Sequence, residues 1–280
     1  MIRMVKKVKI MEAKKSFKMN YGVISAILLI FGAFLIGRLS AQVEYLQGGG
    51  GVANNQAAAP TVAPDAVAAK PEISIDQLKG LFNGKNITFG DKNKKVIFVE
   101  FSDPSCPYCH VAGGKNPSLN KQMGAQFTMV ADGGSYIPPV PEMKKLVDSG
   151  KAAFVWLYAN GHGSGEMATK ALYCAFEKGK FWQVHDLLMT QAGYDLVNTT
   201  VKNDKTKASE LADFLKPAMS VNDMKKCLDG GKYDNRAAED MALATSWGFQ
   251  GTPNFYVNTT NFTGAYSFKD MQSAVDAALK

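Results

Sequence analysis

Residues 96–110, VIFVEFSDPSCPYCH, constrain this chain more than any other stretch. Five of the six residues 96–101 are apolar and three are Val or Ile, the pattern of a strand buried on both faces. Ser102-Asp103-Pro104-Ser105 is turn chemistry, and Cys106-Pro107-Tyr108-Cys109 follows at once. A Cys-x-x-Cys that opens a helix directly after a buried strand suits redox chemistry. Unbonded N–H groups of the first helical turn stabilise a thiolate on Cys106. A lowered pKa then makes that sulfur both nucleophile and leaving group in thiol–disulfide exchange. Pro107 fits the first turn, where its missing N–H costs nothing. The expected division is an exposed, acidic Cys106 and a Cys109 one turn deeper. The competing reading, half of a structural zinc site, wants a second Cys-x-x-Cys, and the other two cysteines, Cys174 and Cys227, stand alone.

The 280 residues carry a formal charge of +7, and its distribution matters more than its size. Residues 1–20 hold seven Lys and Arg against Glu12, so nearly all the excess sits there and the remainder nets +1. The basic balance therefore gives no ground for nucleic-acid binding by the folded part. Residues 21–37 contain no charged side chain, and Arg38 can snorkel while Leu39 extends the run. With about 20 residues needed to span a bilayer, residues 21–39 are expected to form a transmembrane anchor. The positive-inside rule puts the 1–20 tail in the cytoplasm and the rest outside it, in the cell membrane as a single-pass protein. A cleaved signal peptide is the alternative; the apolar run is long for one, and cleavage after Ala41 would leave Leu39 where a small residue is wanted. Residues 40–72 are rich in Gly, Ala and Pro and poor in large side chains, a flexible linker.

From residue 73 the elements alternate. A short helix is expected over 73–81, strands over 86–89, 96–101 and 152–158, and helical periodicity from 164 to 247. Ser220-x-x-Asp223 has the form of a capping box. Strands return at 254–257 and around 262–266, and 268–279 is an amphipathic helix. This is an α/β sheet interrupted by helices: a domain of residues 73–160 and 248–280, with a helical insertion at 161–247.

These residues resemble the DsbA-like family of thiol–disulfide oxidoreductases, which have a thioredoxin-like fold with an inserted helical domain. The resemblance spans about 85–280 and rests on Glu100-Phe101, Cys106-Pro107-Tyr108-Cys109, Gly179-Lys180-Phe181-Trp182 with His185-Asp186-Leu187-Leu188, Cys227-Leu228-Asp229-Gly230, and Gly251-Thr252-Pro253. It implies catalytic roles for Cys106, Cys109, Glu100, Thr252 and Pro253, redox tuning by Pro107 and Tyr108, and no cofactor or metal. Pro253 would be a cis-proline presenting the Thr252 backbone to an extended peptide; the alternative is a trans Pro opening an edge strand. Glu100, if buried, would have a raised pKa and exchange a proton with Cys109; the alternative is a strand-end carboxylate facing water. The stretch between the Cys helix and residue 152, with Gly113-Gly114, Gly133-Gly134 and Pro138-Pro139-x-Pro141, departs from the family and suggests a short active-site helix with an unusual rim.

His110 is expected on the helix surface and His185 packed on a helix; His162 is expected in a plain loop, with a Gly-rich loop 160–165 that borders the site as the alternative. Cys174 and Cys227 suggest one structural disulfide, with a second redox pair or two buried thiols as alternatives. The favoured function is an extracytoplasmic dithiol oxidase that gives its Cys106–Cys109 disulfide to reduced exported proteins and is recycled by a membrane redox partner. A reductase or isomerase of the same fold, and a non-catalytic tethered peptide-binding module, are the alternatives.

Overall fold

The computed structural model describes residues 71–249 and 251–280. The expected basic tail (1–20), the anchor (21–39) and all but the end of the linker (40–72) lie outside the described residues. After a capped helix α1 (Ile75–Gly80) comes β1 (Ile87–Phe89), then the central strand β2 (Val96–Ser102), buried at all seven positions. Beyond β2 run α2 (Pro107–Gly113), α3 (Pro117–Gln122) and α4 (Pro139–Asp148), which carry the chain over to β3 (Ala152–Tyr158). A parallel pair needs such a crossover, and β2 and β3 pair in parallel, Val96 with Ala152 through Ser102 with Tyr158.

The sheet order is β1-β3-β2-β4-β5, with β4 (Asn254–Val257) antiparallel to β2 and β5 (Thr260–Thr263) on the edge. The last strand was expected around 262–266; it stops at Thr263 because Gly264 turns the chain at φ 112°. The terminal helix α11 (Phe268–Leu279) follows.

Alternation along β2 sends its side chains to two different layers. Phe98 joins Phe154 and Trp156 of β3 against Val111 and Ala112 of α2, Met143 of α4 and Met271 of α11. Ile97, Val99 and Phe101 face the other way, onto Leu78, Leu81 and Trp247. The Phe101 ring meets Trp247 at 5.5 Å and Phe249 at 4.5 Å. Truncating a ring so enclosed costs about 3–5 kcal/mol.

Between β3 and β4 lie α5 (Glu166–Glu177), α6 (Phe181–Leu188), α7 (Gln191–Asp195), a π-helical turn (Leu196–Val201), α8 (Ala208–Phe214), α9 (Val221–Asp229) and α10 (Arg236–Ser246). At the start of α9 only half of the expected box forms: Ser220 Oγ accepts the Asp223 N–H. The sequence assigned everything to 247 to the insertion. Within that stretch, Ala244 and Trp247 at the end of α10 pack with Phe101 and Tyr256 on the sheet. Helical periodicity shows that a helix has an apolar face, not which layer covers it. Buried Asp240 of α10 anchors this return: its Oδ2 accepts from the Tyr158 N–H (3.1 Å) and the Tyr173 hydroxyl (2.7 Å), and its Oδ1 from Arg236.

Candidate active site

The site forms where β2 runs out. Asp103 is fully buried, and its carboxylate takes four donors: Ser105 N–H and Oγ–H on Oδ1 (2.7 Å each), and the Gly161 and His162 N–H groups on Oδ2 (2.8 and 2.9 Å). One side chain thus fixes the turn before the cysteines and ties it to the loop after β3. The Asp103 carbonyl accepts the Cys106 N–H at 2.9 Å, setting Cys106 as N-cap of α2 with Pro107 in its first turn. Asn198, on the π-helical turn, donates to the Ser105 carbonyl at 3.1 Å from the insertion side. The helix is short, as the glycines suggested, and closes at Gly114, whose φ of 64° a side chain would resist.

The Thr252-Pro253 peptide is cis and lies against Cys106, whose Sγ–H donates to the Thr252 carbonyl at 3.5 Å. Gly161 stands against both Thr252 and Cys106. A Cβ there would come within 1.8 Å of Thr252 Oγ1 and 3.2 Å of Cys106 Cβ, so only glycine lets this loop approach. Cys106 was expected to be exposed; it is 3 % exposed, because the Thr252 and Gly161 segments close over it. Cys109 is 1 % exposed and accepts the Asp103 N–H on its sulfur at 3.3 Å.

The two thiols are pushed apart in acidity. A hydrogen bond from the Cys109 thiol, working against burial, lowers the Cys106 pKa to about 6; the Thr252 hydroxyl and the N–H groups of Cys109 and Tyr108 add to the effect. The helix N–H groups therefore assist, but the partner sulfur does most. Burial, followed by the neighbouring Cys106, raises the pKa of Cys109. Glu100 lies one residue pair deeper, opposite Trp156 and Phe255, and faces no water. Burial lifts its pKa to about 7, with His185 nearby acting in the opposite direction, and Oε2 has no hydrogen-bond partner.

Tyr108 is 43 % exposed, its ring edge-on to Phe127 at 5.9 Å, so the unusual 124–137 stretch does build the rim beside the cysteines. His185 is packed, stacked on Phe181 at 5.6 Å, with Nδ1 3.3 Å from Asp186 Oδ1. His162 is exposed, yet its backbone is part of the site through Asp103. His110 is not on a surface: it is fully buried, because Tyr194 of α7 and the Met189 carbonyl after α6 cover that side of α2. The structure thus brings together Cys106, Cys109, Pro107, Tyr108, Thr252 and Pro253, while Glu100 is buried in β2 between Trp156 and Phe255. Cys174 and Cys227 are bonded to each other, joining α5 to α9, and take no part in the site. Sequence reasoning assigned no role to Asp103, Gly161 or Asn198; the visible signals were the Ser-Asp-Pro turn, for Asp103, and the Gly-rich loop 160–165, for Gly161.

The family model described as Thioredoxin matches residues 141–277. Among curated proteins, a putative protein-disulfide oxidoreductase of Rickettsia felis is 24% identical over 229 residues, covering 81% of this chain and 72% of that protein. The Na(+)/H(+) antiporter NhaA 3 of Salinispora tropica is 25% identical over 193 residues; the match covers 68% of this chain but spans only 24% of the antiporter's length. Of solved structures, oxidised BdbD of Bacillus subtilis superposes with a TM-score of 0.52 at 19% identity over 70% of this chain and 94% of that one. Wolbachia pipientis alpha-DsbA1 gives 0.51 at 15% identity over 69% of this chain and 90% of that one. The chain therefore has a thioredoxin-like fold with a helical insertion, the fold of these solved structures, and is similar in sequence to putative protein-disulfide oxidoreductases.

Proposed function

We propose that this chain is a thiol–disulfide oxidoreductase working as a dithiol oxidase on exported proteins through Cys106 and Cys109. One observation carries the reading: a thiol with a pKa of about 6 lies against the backbone of a cis Thr252-Pro253 peptide, beside a second thiol whose pKa is raised. In the oxidised enzyme a substrate thiolate attacks Cys106 Sγ. The Cys106–Cys109 bond breaks, a mixed disulfide forms, and Cys109 leaves as a thiolate. With a pKa of about 7, Glu100 is partly protonated at neutral pH and can return a proton to Cys109. A second substrate thiolate then attacks the substrate sulfur of the mixed disulfide, and Cys106 departs as the more stable thiolate. The substrate gains a disulfide and the enzyme is left as a dithiol.

The Thr252 backbone offers the peptide a main-chain partner while its sulfur is engaged. The basic tail and apolar run of the sequence support a single-pass anchor with the site outside the cytoplasm, where the enzyme would meet exported proteins and a recycling redox partner in the membrane. Mixing the oxidised full chain with a reduced two-cysteine peptide tests the reading: the peptide should become disulfide-bonded as Cys106 and Cys109 become alkylatable, in a one-to-one ratio. No transfer would overturn it. Equilibration with glutathione then reads the direction, since a reductase would hold the pair oxidised where an oxidase holds it reduced.

A further inference from the structure

His110 follows Cys109 directly and sits one helical turn after Cys106, whose carbonyl accepts its N–H at 3.2 Å. Side chains four apart share a helix face and tilt toward the helix start, so the imidazole leans back toward the Cys106 end of α2. Its Nδ1 lies 3.0 Å from the Met189 carbonyl oxygen and its Nε2 2.9 Å from the Pro104 carbonyl oxygen. A carbonyl oxygen can only accept. A neutral imidazole has one N–H, so one of these contacts would set a ring lone pair against a carbonyl lone pair; the imidazolium donates to both.

Burial opposes that charge and draws the His110 pKa below its ordinary value, while the two carbonyls and Asp103 favour the proton. The ring is therefore held between two demands, and the charges around it decide. Facing it are Asp103 from the turn, His185 from α6 and the Tyr194 ring from α7 at 4.9 Å, and Cys106 lies one turn before it on its own helix. Tyr194 in turn feels the charge of Cys106, so thiolate, tyrosine and imidazole form one electrostatic neighbourhood. Four residues before His110 on the same helix, Cys106 carries a charge that appears when the disulfide is reduced and disappears when it re-forms.

We propose that His110 takes up a proton when the Cys106–Cys109 disulfide is reduced, and that the resulting imidazolium holds the Pro104 and Met189 carbonyls together behind the Cys106 thiolate. The inference rests on the dithiol-exchange reading above. Two electrons pass from the substrate dithiol, the Cys106–Cys109 bond breaks and a substrate disulfide forms. Of the two substrate protons one ends on Cys109 Sγ and the other on His110, while Cys106 remains a thiolate; none reaches solvent. His110 touches no reacting sulfur and is a positioning residue that balances the thiolate's charge. Oxidation removes the thiolate, so the ring returns to its neutral form and one of the two carbonyl contacts is lost.

The test uses the full chain with 15N-labelled histidine. At neutral pH the His110 ring nitrogens should show one protonated and one bare nitrogen in the oxidised protein, and two protonated nitrogens after reduction with dithiothreitol. The same charge state in both forms overturns the inference. A second measurement follows the equilibrium with dithiothreitol between about pH 6.5 and about pH 7.5. It should stay nearly flat for the unaltered protein. For His110→Gln it should move toward the reduced enzyme about tenfold per pH unit, because the second proton then goes to solvent. Glu100 contributes equally to both proteins, so the difference in slope belongs to His110. Equal slopes overturn the inference. If His110→Gln does not fold, the ring-nitrogen measurement decides alone. Exchange that proceeds with a neutral His110 defeats this inference only; no exchange at all defeats the oxidoreductase reading as well.

Discussion

Cys174 and Cys227 join α5 to α9 across 53 residues of chain, whereas Cys106 and Cys109 are neighbours in the first turn of α2. The first bond closes a long loop and restrains the unfolded chain by about 4 kcal/mol in the entropy model. The second closes almost nothing, so its formation does little for stability and is free to be spent on chemistry. The surroundings differ in the same sense. Cys174 lies in the apolar core with Leu172, Ala175 and Leu228. Around Cys106 are a second thiol, the Thr252 hydroxyl and the N–H groups of Cys109 and Tyr108, which against burial bring its pKa to about 6. What separates a structural bond from a reactive one is therefore loop length and the company of the sulfur, not how deeply it is buried.

The sharpest way to break this contrast is to remove one sulfur from each pair. Cys106→Ser should reduce disulfide transfer to a reduced peptide by roughly three orders of magnitude or more, since a hydroxyl cannot replace the thiolate. Cys109→Ser should instead trap mixed disulfides on Cys106, visible as higher-mass species on non-reducing gels. The Cys174→Ser/Cys227→Ser protein should still transfer. Loss of transfer in a folded sample of that double variant would make the second pair part of the relay.

A smaller effect belongs to stability. Cys174→Ser/Cys227→Ser should lower the unfolding free energy by about 4 kcal/mol in denaturant titrations, and Cys106→Ser/Cys109→Ser by far less. Equal losses would erase the distinction drawn from loop length.

Smallest, and dependent on pH, is the contribution of Glu100. Its pKa rises from 4.5 to about 7 on folding, so between those values the native state binds more protons than the unfolded one. Stability from this group is therefore lost as pH rises through that window, by about 3 kcal/mol in all, and the loss is complete above it. Glu100→Gln should flatten the stability profile over that range and be the more stable protein at about pH 8. It should also slow release of Cys109 as a thiol. An unchanged pH profile would return Glu100 to the role of a passive buried acid.

Much of this was readable in the residues themselves. The run 96–101 announces its strand because every position but Glu100 is apolar, and the Cys-Pro-Tyr-Cys that follows states its chemistry by residue type and spacing. What could not be read involves partners far apart in the chain. Asp103 becomes a site residue by binding N–H groups 58 and 59 residues later, and no local pattern reports that. His110 looked like a surface residue because α2 has seven residues and the sequence does not say that α7 lies over it. The end of α10 carries the same helical periodicity as its neighbours, and only the three-dimensional path of the chain reveals that it packs on the sheet.

Gly161 carries a final implication. Its bare Cα lies against Thr252 and Cys106, and the Thr252 carbonyl meets the Cys106 sulfur, so main chain supplies much of the wall around Cys106. Main chain is common to all polypeptides. On the oxidoreductase reading proposed above, a peptide seated there would be gauged by whether it can lie extended rather than by its side chains. A single methyl group at 161 would fill that gap, pressing on the Thr252 hydroxyl and on the Cys106 Cβ while leaving both sulfurs chemically unchanged.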